Sequence, residues 1–303
     1  MHNFKTIALI GGSGSGKTAL SISLAKKLNC VILSLDSLSV YKEINIASAK
    51  PSKKERDGIL HFGIDILSPQ EPQNVQNFID EFLRAKTHCK ENAKNLLIVG
   101  GSGFYLKTLL NGISNLPEIN KQKLESSLNK FATTQEKFAF LSRIDASFAA
   151  TLAPTDSYRI TKALEIYFST NKIPSLYFKE NPPTPILQNC PIFEILLPRE
   201  ILRERIRRRT LQMLENGLIS EVQSLKEKYG LNHQWAKSIG IKETLAFLSG
   251  EIPTKDNLSE LITIHTAQLT KRQRTFNKTQ FPPHFCGNVP EVEKEILGFH
   301  AVK

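Results

Sequence analysis

FKTIALIGGSGSGKTALSISLAKKL, residues 4–28, is the stretch on which the fold turns. Residues 4–10 form a short apolar run rich in strand formers. Then Gly11, Gly12, Ser13, Gly14, Ser15, Gly16, Lys17 and Thr18 match the pattern G-x-x-x-x-G-K-[ST]. Beyond them Ala19, Ile22, Leu24, Ala25 and Leu28 recur at helical spacing, so the order is strand, loop, helix. Glycines let such a loop curl until consecutive N–H groups point at phosphate oxygens. Lys17 adds a point charge, Thr18 can hold Mg²⁺, and the helix start adds its dipole. The pattern identifies a bound di- or triphosphate. It leaves open whether the phosphate is transferred, hydrolysed or expelled.

Working outward, a second strand runs through Val31, Ile32, Leu33 and Leu35 and ends at Asp36. A third, residues 96–99, opens onto Gly100, Gly101, Ser102 and Gly103 and a helix. Strands alternating with helices predict a parallel sheet covered on both faces. From 114 to 185 the pattern changes to helices alone (Leu124, Leu128, Phe131; then Ala163, Leu164, Tyr167, Phe168), broken by Pro174, Pro182, Pro183 and Pro185. A strand resumes at 192–197, with Pro198 ending it. The predicted fold class is α/β: a P-loop NTPase-like parallel sheet flanked by helices, with an all-helical insertion domain. The expected division is a discontinuous core, 1–113 and 186–303, around an insertion at 114–185. A plain helical extension of the same layer is the rival reading.

Composition sets the outer limits. The 303 residues carry 40 Lys+Arg against 29 Asp+Glu, a formal charge of +11, which suits a polyanionic partner or plain solubility. With 40% hydrophobic and 23% charged residues the chain is ordinary globular material. No apolar run approaches the roughly 18 residues of a membrane span, and the opening MHNFKTIALIGG is a poor secretory signal. Cys30, Cys89, Cys190 and Cys286 show no metal-ligand spacing, so neither zinc nor disulfides are expected and a reducing cytoplasm is.

The chemistry is then narrowed by carboxylates and arginines. The 96–99 strand ends in glycines, without the aspartate that an ATPase places there to organise Mg²⁺ and water. Asp36, at the carboxyl end of the second strand, is the carboxylate expected near the loop. It reads either as a proton acceptor or as a turn former before Ser37. On the helix after Pro198, Arg209 interrupts the apolar stripe of Leu202, Ile206 and Met213, while Arg203, Arg207 and Arg208 fall outside it. A cation there pairs with a phosphate, or snorkels, or forms an internal ion pair. On what reads as the last helix, Leu261, Ile264, Leu269 and Phe276 are expected to face inward with His265, Gln268 and Arg272 among them. Lys271, Arg274 and Lys278 project elsewhere. That reads as a recognition groove with basic surroundings, or as a solvated basic face. His61 is read as structural, and Trp235 as uninformative.

Taken together the motifs resemble the tRNA dimethylallyltransferases, over most of the chain and in order. The segments are GGSGSGKT (11–18), LDSLSVYKEINIASAKP (35–51), HFGID (61–65), VGGSGFYLKTLL (99–110), DSYRITKALEIY (156–167), LPREILRERIRRRTLQMLENGL (197–218), KSIGIKE (237–243) and HTAQLTKRQRTF (265–276). The resemblance implies transfer of a dimethylallyl group from dimethylallyl diphosphate to the N6 amine of the adenosine at position 37, beside the anticodon. Residues 11–18 would hold the diphosphate, Thr18 would hold Mg²⁺, Asp36 would be the base, and Arg209 would grip the diphosphate from the far side. It assigns tRNA contacts to Asp36, Ser37, Leu38, Ser39, Arg159, Lys162, Ser238, Ile239, Gly240, Ile241, Lys242, Gln268, Lys271 and Arg272. Ser102 would approach the adenosine. The helical insertion would be a mobile domain gripping the anticodon stem-loop, and a monomer is expected. Gly12 and Ser13 depart from the family's Pro and Thr, Tyr158 from Gln, and Ala267 from Arg; the first pair leaves the backbone cradle intact, and the last two fall in segments matched to tRNA contact. A nucleoside or nucleotide kinase is the alternative. An adenylate-using isopentenyltransferase and a nucleotide-gated RNA-binding switch are further rivals.

Overall fold

The computed structural model describes residues 4–118 and 121–301. By internal contacts these form two compact units, one of 1–110 with 187–303 and one of 111–186. The first unit opens with β1 (Thr6–Gly11), α1 (Lys17–Lys27), β2 (Cys30–Leu35), α2 (Lys53–Arg56), β3 (His61–Phe62), α3 (Val75–Glu91), β4 (Asn95–Gly100) and α4 (Gly103–Asn111). The second holds α5 (Lys121–Leu128), α6 (Thr134–Ile144), α7 (Ala146–Ala149), α8 (Ser157–Thr170) and α9 (Pro174–Glu180). The first unit resumes with β5 (Ile192–Ile195), α10 (Arg199–Glu215), α11 (Leu218–Tyr229), a 3₁₀ turn at Gln234–Lys237, α12 (Ile241–Leu248), α13 (Lys255–Gln280), β6 (Phe285–Gly287) and α14 (Val289–Ala301).

One six-stranded sheet has the order β3-β2-β4-β1-β5-β6, every pairing parallel. Because side chains alternate across a strand, Ile7, Leu9, Cys30, Ile32, Leu97, Val99, Phe193 and Ile195 pack on one face against α1 and α14. α3 and α13 lie against the sheet as well. The carboxyl ends of β1, β2 and β4 are therefore neighbours. This is where an open parallel sheet receives its ligand. β3 and β6, of two and three residues, were not expected from sequence; runs so short carry no period. β5 ends at Ile195, short of the expected 197, although Leu196 N–H still donates to Gly287 O at 2.8 Å.

The second unit has its own core. Leu141, Ala149, Ile160, Ala163 and Leu164 are buried there, with Phe131, Phe138, Phe140, Phe148 and Phe168 packed around them. Asp145 caps α7 by accepting from Phe148 N–H at 3.0 Å, and reaches α9 by accepting from Ser175 N–H at 2.7 Å. Among the described residues of this unit there are helices and no strands. Across the described chain no helix is long and apolar enough to cross a membrane.

Candidate functional site

The loop after β1 turns into α1 at Gly16, whose φ of 100° is a left-handed conformation that a side chain resists. Gly12 faces α13 so closely that a Cβ there would meet Thr270 Cγ2 at 2.2 Å. Lys17 Nζ donates to the carbonyls of Gly11 and Gly12, each at 2.7 Å, folding back over the loop. Burial and the nearby Arg209 guanidinium lower its pKa to about 7, against the opposing pull of Asp36 and Glu194.

A cavity of about 410 Å³ lies over this loop, within the range of small-molecule sites. Ser13, Lys17 and Thr18 line it, as do Asp36, Ser37, Leu38 and Ser39 from the end of β2. Gly100 and Gly101 line it from the end of β4, Arg209 from α10, and Ser238, Ile239 and Gly240 from the turn before α12. Asp36 fulfils the turn-forming reading and leaves one carboxylate oxygen for the other. Its Oδ1 accepts from Leu38 N–H at 2.8 Å and Ser39 N–H at 3.0 Å, building the turn. Its Oδ2 has no hydrogen-bond partner among the described residues, and the residue lines the cavity.

Arg209 neither snorkels outward nor joins an ion pair among the described residues. Nη1 donates to Ser13 Oγ at 3.2 Å and Nη2 to Ala49 O at 3.3 Å. The guanidinium thus bridges the phosphate loop and the segment after β2. Burial pulls its pKa down while Asp36 and Glu55 pull it up, leaving it lowered. An anion between Lys17 and Arg209 would relieve two buried cations together.

Several expected residues lie elsewhere. Gln268, Lys271 and Arg272 are exposed and share a shallow surface groove with Thr275, Phe276 and Thr279; they do not line the cavity. The expected inward line of α13 is corrected accordingly. Its buried residues are Leu258, Ser259, Ile262, Thr263, Thr270 and Asn277, and it gives the cavity Ile262, Thr266, Leu269 and Gln273. A search for aliphatic periodicity misses this face because threonine hides its polarity in the helix itself. Thr263 Oγ1 donates to Ser259 O at 2.8 Å, and Thr270 Oγ1 to Thr266 O at 3.1 Å. Ile241, expected to touch RNA, is fully buried; Lys242 beside it is exposed. Ser102 is outside the cavity lining, one residue past Gly101, with its N–H donating to Leu35 O at 3.3 Å. In the second unit, Arg159 and Lys162 project from α8 with 68% and 42% of their side chains exposed.

Three further residues shape the site without having been assigned to it from sequence. Glu221, in the first turn of α11, accepts from the N–H groups of Asn45, Ile46 and Ala47 at 2.8 to 3.1 Å. This pins the segment that offers Ala49 O to Arg209. Buried Glu243 accepts from Gly240 N–H at 2.6 Å and meets His265 Nδ1 at 2.5 Å, holding the turn at 238–240. His61, expected to be purely structural, lines the cavity; its Nδ1 meets Ile59 O at 2.8 Å, and burial lowers its pKa.

Comparison with known proteins supplies the family. The family model described as IPP transferase matches residues 39–280. A tRNA dimethylallyltransferase of Wolinella succinogenes is 49% identical over 295 residues, 96% of this chain and 97% of its own. The solved tRNA delta(2)-isopentenylpyrophosphate transferase of Staphylococcus epidermidis aligns with a TM-score of 0.71 at 29% identity, covering 99% of this chain and 100% of that one. A eukaryotic dimethylallyltransferase, captured in crystallographic snapshots acting on tRNA, gives 0.79 at 29% identity, covering 90% of this chain and 70% of that one. Matched over most of its length by the family model and nearly end to end by such a relative, the chain belongs to the IPP transferase family, that of the tRNA dimethylallyltransferases.

Proposed function

We propose that the protein transfers a dimethylallyl group from dimethylallyl diphosphate to the exocyclic N6 amine of adenosine 37 in tRNA, releasing diphosphate. One observation carries the reading: Lys17 and Arg209 flank the phosphate loop in a cavity that also contains Asp36, whose Oδ2 has no partner among the described residues. In the reaction a nitrogen–carbon bond forms at the allylic carbon as its carbon–oxygen bond breaks, and the diphosphate leaves. Asp36 Oδ2 takes the proton that the amine loses, an assistance worth roughly 10²–10⁴-fold. Loop N–H groups, Lys17 and Arg209 hold the charge that accumulates on the leaving diphosphate.

The oxygen donors in the cavity, the hydroxyls of Thr18 and Ser13 and the Asp36 carboxylate, suit a hard cation. Thr18 would hold Mg²⁺, which supplies neutralising charge to the leaving diphosphate when bound. The base must leave its stack to enter the cavity, at a cost of a few kcal/mol. The second unit grips the anticodon stem-loop through Arg159 and Lys162 and acts as a mobile clamp, while Gln268, Lys271, Arg272 and Lys242 supply outer phosphate contacts. The acceptor places the enzyme in the cytoplasm, and a monomer carries every residue named.

A kinase shares the loop and an aspartate after the second strand, but the family disfavours it. Incubation with labelled dimethylallyl diphosphate and bulk tRNA tests the proposal. The expected result is label on adenosine with one diphosphate released per transfer. ATP consumption on a nucleoside acceptor, with no label on tRNA, would overturn it.

A further inference from the structure

On the far side of β1 from β4, the sheet edge gathers three residues that the transfer reaction does not use. Glu194 on β5 is buried and lies opposite Cys286 on β6 in the parallel register. His284 stands two residues before Cys286, and the two reach the same carboxylate. His284 Nε2 is 3.2 Å from Glu194 Oε2, and Cys286 Sγ is 3.9 Å from the same oxygen. The three ligand atoms lie within 4.8 Å of one another.

We propose that Glu194, His284 and Cys286 bind a zinc ion. Zinc bonds of about 2.0–2.1 Å to nitrogen and oxygen and about 2.3 Å to sulfur imply tetrahedral edges of about 3.3 Å (N to O) and 3.6 Å (S to O). The two observed separations lie within a few tenths of an ångström of these. The supporting hydrogen bonds are of the kind a metal site needs. His284 Nδ1 meets Pro282 O at 2.8 Å; with the ring proton on that nitrogen, Nε2, facing Glu194 Oε2, is the ligating atom. Asn277 Nδ2 donates to Glu194 Oε1 at 2.8 Å, which leaves Oε2 as the ligand oxygen. A thiolate and a carboxylate together carry two negative charges, matched by one divalent cation. The mixture of sulfur, imidazole and carboxylate selects zinc over magnesium or calcium. Cys286 is exposed, so the ion has a way in, and water completes the fourth position. The ion joins β6 to β5 and, through Asn277, to α13. It closes a separation of 90 residues at an edge otherwise held by a three-residue strand.

The test is a Co²⁺ titration of the reduced, chelator-treated full chain, with Mg²⁺ saturating so that hard oxygen sites are filled. One equivalent should give a near-ultraviolet thiolate-to-cobalt charge-transfer band that Zn²⁺ abolishes by displacement. Zn²⁺ should also raise the Tm by a few degrees. Cys286→Ser, at an exposed position, should keep its circular dichroism and lose the band; His284→Gln should bind at least 10-fold more weakly. Absence of the band in the wild type, with a Tm indifferent to Zn²⁺, would overturn the proposal. So would equal Co²⁺ affinity in Cys286→Ser. Either result would reduce the triad to an internal hydrogen-bonded cluster.

Discussion

To hold a diphosphate as proposed, Lys17 has to be a cation where the fold disfavours one. Its pKa, lowered from 10.5 to about 7, sits below the unfolded value. Between those two pH values the unfolded chain therefore holds more protons, and stability rises with pH across that window. A bound diphosphate reverses the preference, so binding at pH 8 should draw in close to one proton. Calorimetry in buffers of different ionisation enthalpy measures that uptake, and Lys17→Ala should abolish it along with most transfer activity. Asp36 allows a cleaner separation of roles. In Asp36→Asn the side-chain oxygen can still accept from Leu38 and Ser39, so the turn persists while the proton acceptor is lost. Single-turnover transfer should slow by roughly 10²-fold or more with diphosphate affinity retained. Near-wild-type turnover would leave Asp36 as a turn residue only.

At the scale of elements, buried and half-buried carboxylates do much of the holding. Glu221 steadies the segment after β2, Glu243 the turn before α12, and Asp145 the joint between α7 and α9. Asp145 also accepts from Ser147 Oγ at 2.9 Å. Burial pushes its pKa up, and the bonds from Ser175, Phe148 and Ser147 outweigh that, leaving it lowered. Its contribution is therefore present above the ordinary carboxylate pKa and lost as pH falls through the folded value. Asp145→Ala strips acceptors from two backbone N–H groups and should cost about 3 kcal/mol. Native-state hydrogen exchange at α7 and α9 would register the loss, with α1 and α10 unchanged. The helix α13 shows how far sequence alone carries such a reading. Its helicity was legible, but its buried face was not, because Ser259, Thr263 and Thr270 are polar in a sequence and self-satisfied in a helix.

For the whole molecule, the +11 charge has to be turned into contacts on a polyanion. On α8, Arg159 is 3.5 Å from Asp156 and Lys162 is 2.6 Å from Glu165, and both cations are exposed enough for a phosphate to reach. The two cations are three residues apart and share a helical face. Replacing both with alanine should weaken tRNA binding and flatten its logarithmic salt dependence by up to about 1.8. Dimethylallyl diphosphate affinity should not move. An unchanged slope would put the tRNA on another surface, and a parallel loss of diphosphate affinity would put α8 in the donor site.

What the sequence by itself determined was whatever neighbours along the chain decide. Eight consecutive residues make the phosphate loop, runs of apolar residues make β1, β2, β4 and β5, and a single arginine breaks the stripe of α10. Tertiary structure decided everything joined across distance. β3 and β6 exist only because an adjacent strand completes them. His61 reaches the cavity through its pairing with β2, and Glu221 acts on residues about 175 positions away. Glu194, His284 and Cys286 meet because β6 adds to the edge of β5. Periodicity records which way a residue faces within its own helix or strand. It keeps no trace of the partner, because the contact forms only when separate elements pack.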